Sequence, residues 1–195
     1  SLEVCRDVNC QAIFALRGKP MNCFGEKFEK IYSNEELTFL MQALGIEDSI
    51  ENLRYDKVIL ATDADVDGLH IRNLLITFFL SFFEQLVLSG HLYVLETPLF
   101  RVQKPKEKAV YCYSENERDR AAAALGKKSE ITRFKGLGEI SPKEFGQFIG
   151  EEMRLQPVTL DNMRNIPELL GFFMGTNTPK RREYIMNNLE VHKYE

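Results

Sequence analysis

The stretch Lys57–Arg72, KVILATDADVDGLHIR, decides how the chain is read. A short apolar run, Val58-Ile59-Leu60-Ala61, stops at three alternating aspartates, Asp63, Asp65 and Asp67, and Gly68 closes the turn. A long apolar segment follows, from Leu69 to Leu88. A β-branched run that ends at acidic residues and Gly, then turns helical, is the carboxyl end of a buried strand feeding a helix. Open α/β sheets place their ligands at that edge. The expected fold is α/β: a Rossmann-like, mostly parallel sheet with Val58–Ala61 central, helices on both faces and a small C-terminal helical appendage.

Three carboxylates this close repel one another, and each needs a counter-charge, a proton or open water. Clustered carboxylate oxygens suit a hard divalent cation such as Mg²⁺. A solvated acidic turn is the plain alternative. An EF-hand loop also begins D-x-D-x-D-G, but its twelfth position must be a bidentate Glu. Counted from Asp63 that position is Leu74, the ninth is Ile71, and the entering segment is strand-like. The EF-hand reading fails, and a cation site at a strand end survives.

At 195 residues the chain holds one good-sized domain, or one domain with an appendage. A hydrophobic content of 44% and a charged content of 28% describe an ordinary globular protein. Cys5, Cys10, Cys23 and Cys112 stand singly and read as reduced thiols of a cytoplasmic protein. The Leu69–Leu88 segment is long enough to span a bilayer. It carries His70, Arg72, Asn73, Glu84 and Gln85, however, and their cost in lipid favours a central helix packed on a sheet. A net charge of −4 argues weakly against a nucleic-acid partner. A site that holds Mg²⁺ between carboxylates and a phosphate is locally acidic, though, and DNA contacts can then fall to a few placed cations.

Upstream, Gln11–Leu16 reads as a strand running into Arg17–Asn22 (RGKPMN), a turn with two cations, a Gly and a Pro. It is either an exposed basic loop or a phosphate clamp. Ser33 to Glu36 forms a capping box for a structural helix. His70 lies in the first turn of the central helix, where anions are favoured. Downstream, His91–Gln103 reads as two strand halves and Ala109–Tyr113 as another strand. The KPKEK link Lys104–Lys108 reads as a hairpin tip whose charges are solvated. A second capping box, Ser114 to Glu117, opens an Ala-rich helix. Glu130–Phe134 is a strand leading into Lys135–Glu139 (KGLGE), where glycines allow close backbone approach. Ser141 stands where a dinucleotide fingerprint needs its third Gly, so that motif is rejected. Ser141–Glu144 then caps a third helix with Pro142 at its first position. Val158-Thr159-Leu160 reads as a brief strand, and Pro167–Met174 and Pro179–Asn188 as helices. Lys180, Arg181 and Arg182 oppose the dipole of the last helix, which fits either an external anion or a solvated basic turn.

Three motifs, RGKPMN at Arg17–Asn22, TDADVDGLHIR at Thr62–Arg72 and RFKGLGE at Arg133–Glu139, resemble in sequence and order the Toprim domain of bacterial type IIA DNA topoisomerase B subunits. The resemblance covers nearly the whole chain. Leu69 after Asp67-Gly68, and the lack of a large insertion before Lys135, favour the topoisomerase IV branch over gyrase. The resemblance implies an ATP-dependent enzyme that cuts one duplex, passes another through and reseals. Its nucleophile is a tyrosine of the A subunit, so no catalytic residue is expected in this sequence. It further implies Mg²⁺ on Asp63 and Asp65 with Asp67 nearby, and DNA contacts from Lys19, Asn22, His70 and Arg182. The implied partners are the A subunit, in a heterotetramer, and double-stranded DNA, in the cytoplasm. The implied ATP site lies in a domain outside this sequence. The family's acidic E-G-D-S motif, with its metal-binding glutamate, has no counterpart here, and Glu3 does not fit it. By that comparison the chain is expected to begin inside the Toprim domain and to be inactive alone. Residues 1–150 are expected to form that domain, and 151–195 the tail. The alternatives are a gyrase B fragment, or a DNA-binding or assembly module without chemistry of its own. A primase or type IA enzyme is opposed by RFKGLGE and by Arg181-Arg182-Glu183-Tyr184.

Overall fold

The central apolar run forms strand β1 (Val58–Leu60), which pairs in parallel with β2 (Leu92–Leu95) in the computed structural model, where residues 1–126, 128–160 and 165–188 are described. Its side chains alternate between two cores, as a strand covered on both faces requires. Val58 and Leu60 join a cluster with Phe78, Phe79, Leu86 and Leu92, while Ile59 and Ala61 pack on Phe145, Phe148 and Ile140. The far side of β2 pairs antiparallel with β6 (Leu155–Pro157). A second sheet holds β3 (Phe100–Gln103) between β4 (Val110–Cys112) and β5 (Glu130–Arg133), antiparallel throughout.

The expected α/β class holds, with a more mixed pairing. Among the described residues β1–β2 is the one parallel pair, and the order β1-β2-β6 puts β2 rather than Val58–Ala61 in the middle. The connections explain this: a parallel pair needs a long crossover, and the link from β1 to β2 carries one. Gln11–Leu16 forms no strand, and Ile13 and Phe14 stay exposed, because no neighbouring strand takes up its backbone groups. The strand expected at Val158–Leu160 lies three residues earlier, where Leu155 faces Leu95.

Nine helices are described, α1 (Leu2–Cys5), α2 (Phe28–Tyr32), α3 (Glu35–Leu44), α4 (Val66–Phe82), α5 (Glu84–Leu88), α6 (Glu115–Leu125), α7 (Pro142–Phe145), α8 (Ile166–Met174) and α9 (Thr178–Asn187). The α3 cap is Asn34, which accepts Leu37 N–H at 3.0 Å, and not Ser33. Ser33 already closes α2 and donates to the Lys30 carbonyl. Glu36 instead accepts the Arg17 N–H, fastening the RGKPMN turn to α3. The long helix breaks at Phe83, whose backbone leaves helical geometry while its ring is buried 5.4 Å from Phe78. None of the helices among the described residues is long and apolar enough to cross a membrane. All four cysteines are free thiols.

Two local arrangements hold the carboxyl end of β1 in place. The first is Gly68, in the opening turn of α4. A Cβ there would stand 2.0 Å from the Asp63 carbonyl oxygen, so helix and strand end meet at a distance only Gly permits. The second is a polar staple between β3, β4 and α7. Glu144 Oε1 accepts from Arg101 at 2.7 Å and from the Tyr111 hydroxyl at 2.8 Å, and Oε2 accepts from Ser141 at 2.8 Å. Burial pulls the Glu144 carboxyl upward, but the donors outweigh it and hold the carboxyl at about 2. Burial and the same carboxylate push Tyr111 up to about 12.

Gly68→Ala is expected to destabilise the fold by about 1–3 kcal/mol through overpacking. Helix propensity alone would favour Ala by about 1 kcal/mol. Chemical denaturation decides the sign. Glu144→Gln is expected to cost on the order of 2–3 kcal/mol near neutral pH. The folded carboxyl, at about 2, lies below its ordinary 4.5, so this stabilisation is complete above pH 4.5 and disappears as pH falls through 2. Melting temperatures of the two proteins should therefore converge across that acid window.

Candidate metal and nucleic-acid site

The acidic turn lies at the carboxyl end of β1, and Asp63, Asp65 and Asp67 are all exposed there. Each carboxylate has its own protein partner. Asp65 is the N-cap of α4, accepting Gly68 N–H at 2.7 Å. Asp63 accepts the Leu137 N–H at 2.7 Å, across a sequence separation of 74. The loop that makes this bond comes so close that a Cβ at Gly136 would sit 3.1 Å from Asp63 Oδ1. Asp67 takes the Lys19 ammonium at 2.7 Å, with both side chains well exposed. That hydrogen bond and the lysine's charge hold the Asp67 carboxyl below its ordinary range.

The three sequence motifs therefore meet at one turn, RGKPMN through Lys19 and RFKGLGE through Leu137. The carboxylates share the turn but not a single focus. Among the described residues no three His, Cys, Asp or Glu side chains gather into a group that could hold a metal. The donor chemistry still fits Mg²⁺. The second oxygens of Asp63 and Asp65 take no protein hydrogen bond among the described residues. Mg²⁺ is commonly held by one or two carboxylates, completed by water and substrate phosphate oxygens.

The expected DNA-contacting residues are distributed around this turn. His70 is exposed, and together with Asn22 it lines a cleft of about 580 Å³ between α4 and α8. Asn22 is engaged by the protein: its amide donates to the Met174 carbonyl at 2.7 Å, and its oxygen accepts Phe24 N–H at 3.1 Å. Arg182 is exposed on α9 and does not line the cleft. Its neighbour Arg181 does, held by the Phe173 carbonyl and by Thr178 Oγ1. The basic triplet was visible in the sequence. Which member faces the cleft follows from Tyr184 packing on Phe172 and Phe173, a tertiary contact. Arg72, given no role by sequence reasoning, reaches back to Thr62 Oγ1 at 3.4 Å, beside the acidic turn, with its Nε buried and unpartnered.

The family model described as Toprim domain matches residues 1–97, and the one described as DNA gyrase B subunit, carboxyl terminus, matches residues 126–186. The chain is 60% identical over 190 residues to the B subunit of DNA topoisomerase 4 from Borreliella burgdorferi, covering 97% of this chain and 32% of the relative. It is 36% identical over 192 residues to the B subunit of DNA gyrase from Archaeoglobus fulgidus, covering 95% and 30%. The chain thus spans about a third of the length of these curated relatives. In fold it resembles the crystal structure of the Plasmodium falciparum topoisomerase II DNA-binding, cleavage and re-ligation domain, with a TM-score of 0.72 and 24% identity over 92% of this chain and 26% of that one. A Toprim sequence followed by the gyrase B carboxyl terminus, both matched within one 195-residue chain, shows that it belongs to the B-subunit family of type II DNA topoisomerases.

Proposed function

We propose that this chain is the metal- and DNA-binding part of a topoisomerase IV B subunit, which changes DNA topology by transient double-strand breakage together with an A subunit. The observation that carries this reading is the meeting of three motifs at the acidic turn, through Lys19–Asp67 and Leu137–Asp63, each at 2.7 Å. In this reading Asp63 and Asp65 hold Mg²⁺ and Asp67 fixes Lys19. Mg²⁺ supplies charge neutralisation at a phosphate oxygen when bound. Lys19 and His70 position the DNA strand, Asn22 orders the turn that carries Lys19, and Arg182 offers a phosphate contact from α9. The attacking tyrosine belongs to the A subunit. The full assembly is a cytoplasmic, ATP-dependent heterotetramer acting on double-stranded DNA in chromosome segregation, with ATP bound outside these residues. Residues 1–150 act as the Toprim unit and 151–195 as the tail. Topoisomerase IV is favoured over gyrase by the 60% identity against 36%.

Asparagine substitutions separate metal binding from capping, because Asn caps a helix as well as Asp does. In the full-length subunit paired with its A subunit, Asp63→Asn and Asp65→Asn are expected to abolish Mg²⁺-dependent plasmid cleavage with DNA binding nearly unchanged. Lys19→Ala is expected to weaken binding and to flatten its salt dependence by about one phosphate's share. Undiminished cleavage by the aspartate variants would remove them from the metal site.

A further inference from the structure

We propose that the lysine-rich end of the β4-β3-β5 sheet is a second anchor for the phosphate backbone of duplex DNA, separate from the acidic turn. This rests on the reading of DNA as the substrate. Because β3 runs antiparallel to both neighbours, the end of β3 and the starts of β4 and β5 come together, with Gln103 opposite Glu130 and Val102 opposite Val110. The β3–β4 hairpin delivers Lys104, Lys106 and Lys108 to this end, and the link from α6 to β5 delivers Lys128. Glu107 is occupied by Lys104 at 2.8 Å. Lys106, Lys108 and Lys128 are exposed and have no acidic partner among the described residues. In a protein of net charge −4, this is a local excess of cations and not a share of general basicity.

Two observations separate this end from a merely solvated turn. Lys106 holds φ +71°, the one positive φ of a non-Gly residue among the described residues. The left-handed region is sterically unfavourable for any residue with a side chain, and Gly escapes that cost. Stability alone therefore favours Gly at the tip, whereas presentation of a cation favours Lys. The second observation is direction: β5 leads from Lys128 through Arg133 into the loop that grips Asp63. Four strand residues span about 13 Å. Duplex DNA carries about one charge per 1.7 Å of its axis, so a duplex along that span presents several phosphates to both ends. Flexible lysines suit such a target, because phosphate contacts position a duplex without reading its sequence.

The test is DNA binding by the full-length subunit assembled with its A subunit, measured across a salt series. Lys106→Ala, Lys108→Ala and Lys128→Ala combined should weaken binding about tenfold near physiological salt and lower the log–log salt slope by about three. The triple arginine variant should restore both. Unchanged affinity and slope in the alanine variant would overturn the second anchor while the proposed function stood. So would unchanged DNA binding with lost A-subunit association, which marks a protein contact instead. No DNA binding by the unaltered assembly would overturn both readings.

Discussion

A single hydrogen bond, from the Leu137 N–H to the carboxylate of Asp63, joins the two halves of this site. Asp63 stands at the end of the parallel pair, and Leu137 belongs to the loop after the antiparallel sheet. At Gly136 the loop backbone comes so close to the carboxylate that a Cβ would crowd it at 3.1 Å, and Gly68 lets α4 press against the Asp63 backbone from the other side. Glycine thus supplies space on both flanks of one aspartate. The Glu144 staple then holds α7, which follows the loop, against β3 and β4. The position of a solvent-exposed carboxylate is in this way set by buried packing some distance away.

Electrostatics alone would scatter three aspartates in one turn. Each is instead fixed by a different device: a backbone N–H from a distant loop, a helix N-terminus and a lysine. One oxygen of Asp63 and of Asp65 is used up in positioning the carboxylate, which leaves the other available. A site of this kind suits a cation completed by substrate oxygens better than one enclosed by protein alone.

Much of this was legible in the sequence. The strand that stops at alternating aspartates, the helix behind it and the serine N-caps at Ser114 and Ser141 follow from local chemistry, and each is present. What sequence reading missed depends on partners distant in the chain. Gln11–Leu16 has strand-like composition but no strand to pair with, and β6 takes its register from Leu95 rather than from its own residues. The break at Phe83 reflects aromatic packing that no 3.6-residue periodicity records. At the site, the residue types at Asp63, Asp65 and Lys19 were visible. The division of their partners was not, nor was the choice of Arg181 over Arg182 at the cleft.

The most direct test of a cation site built around Asp63 and Asp65 is a Mn²⁺ titration followed by amide NMR, with paramagnetic broadening as the readout. Broadening should begin at residues 62–68 and 135–138, two segments far apart in the sequence, and should vanish in an Asp63→Asn, Asp65→Asn double variant. Broadening that starts elsewhere, or that survives in the double variant, would contradict it.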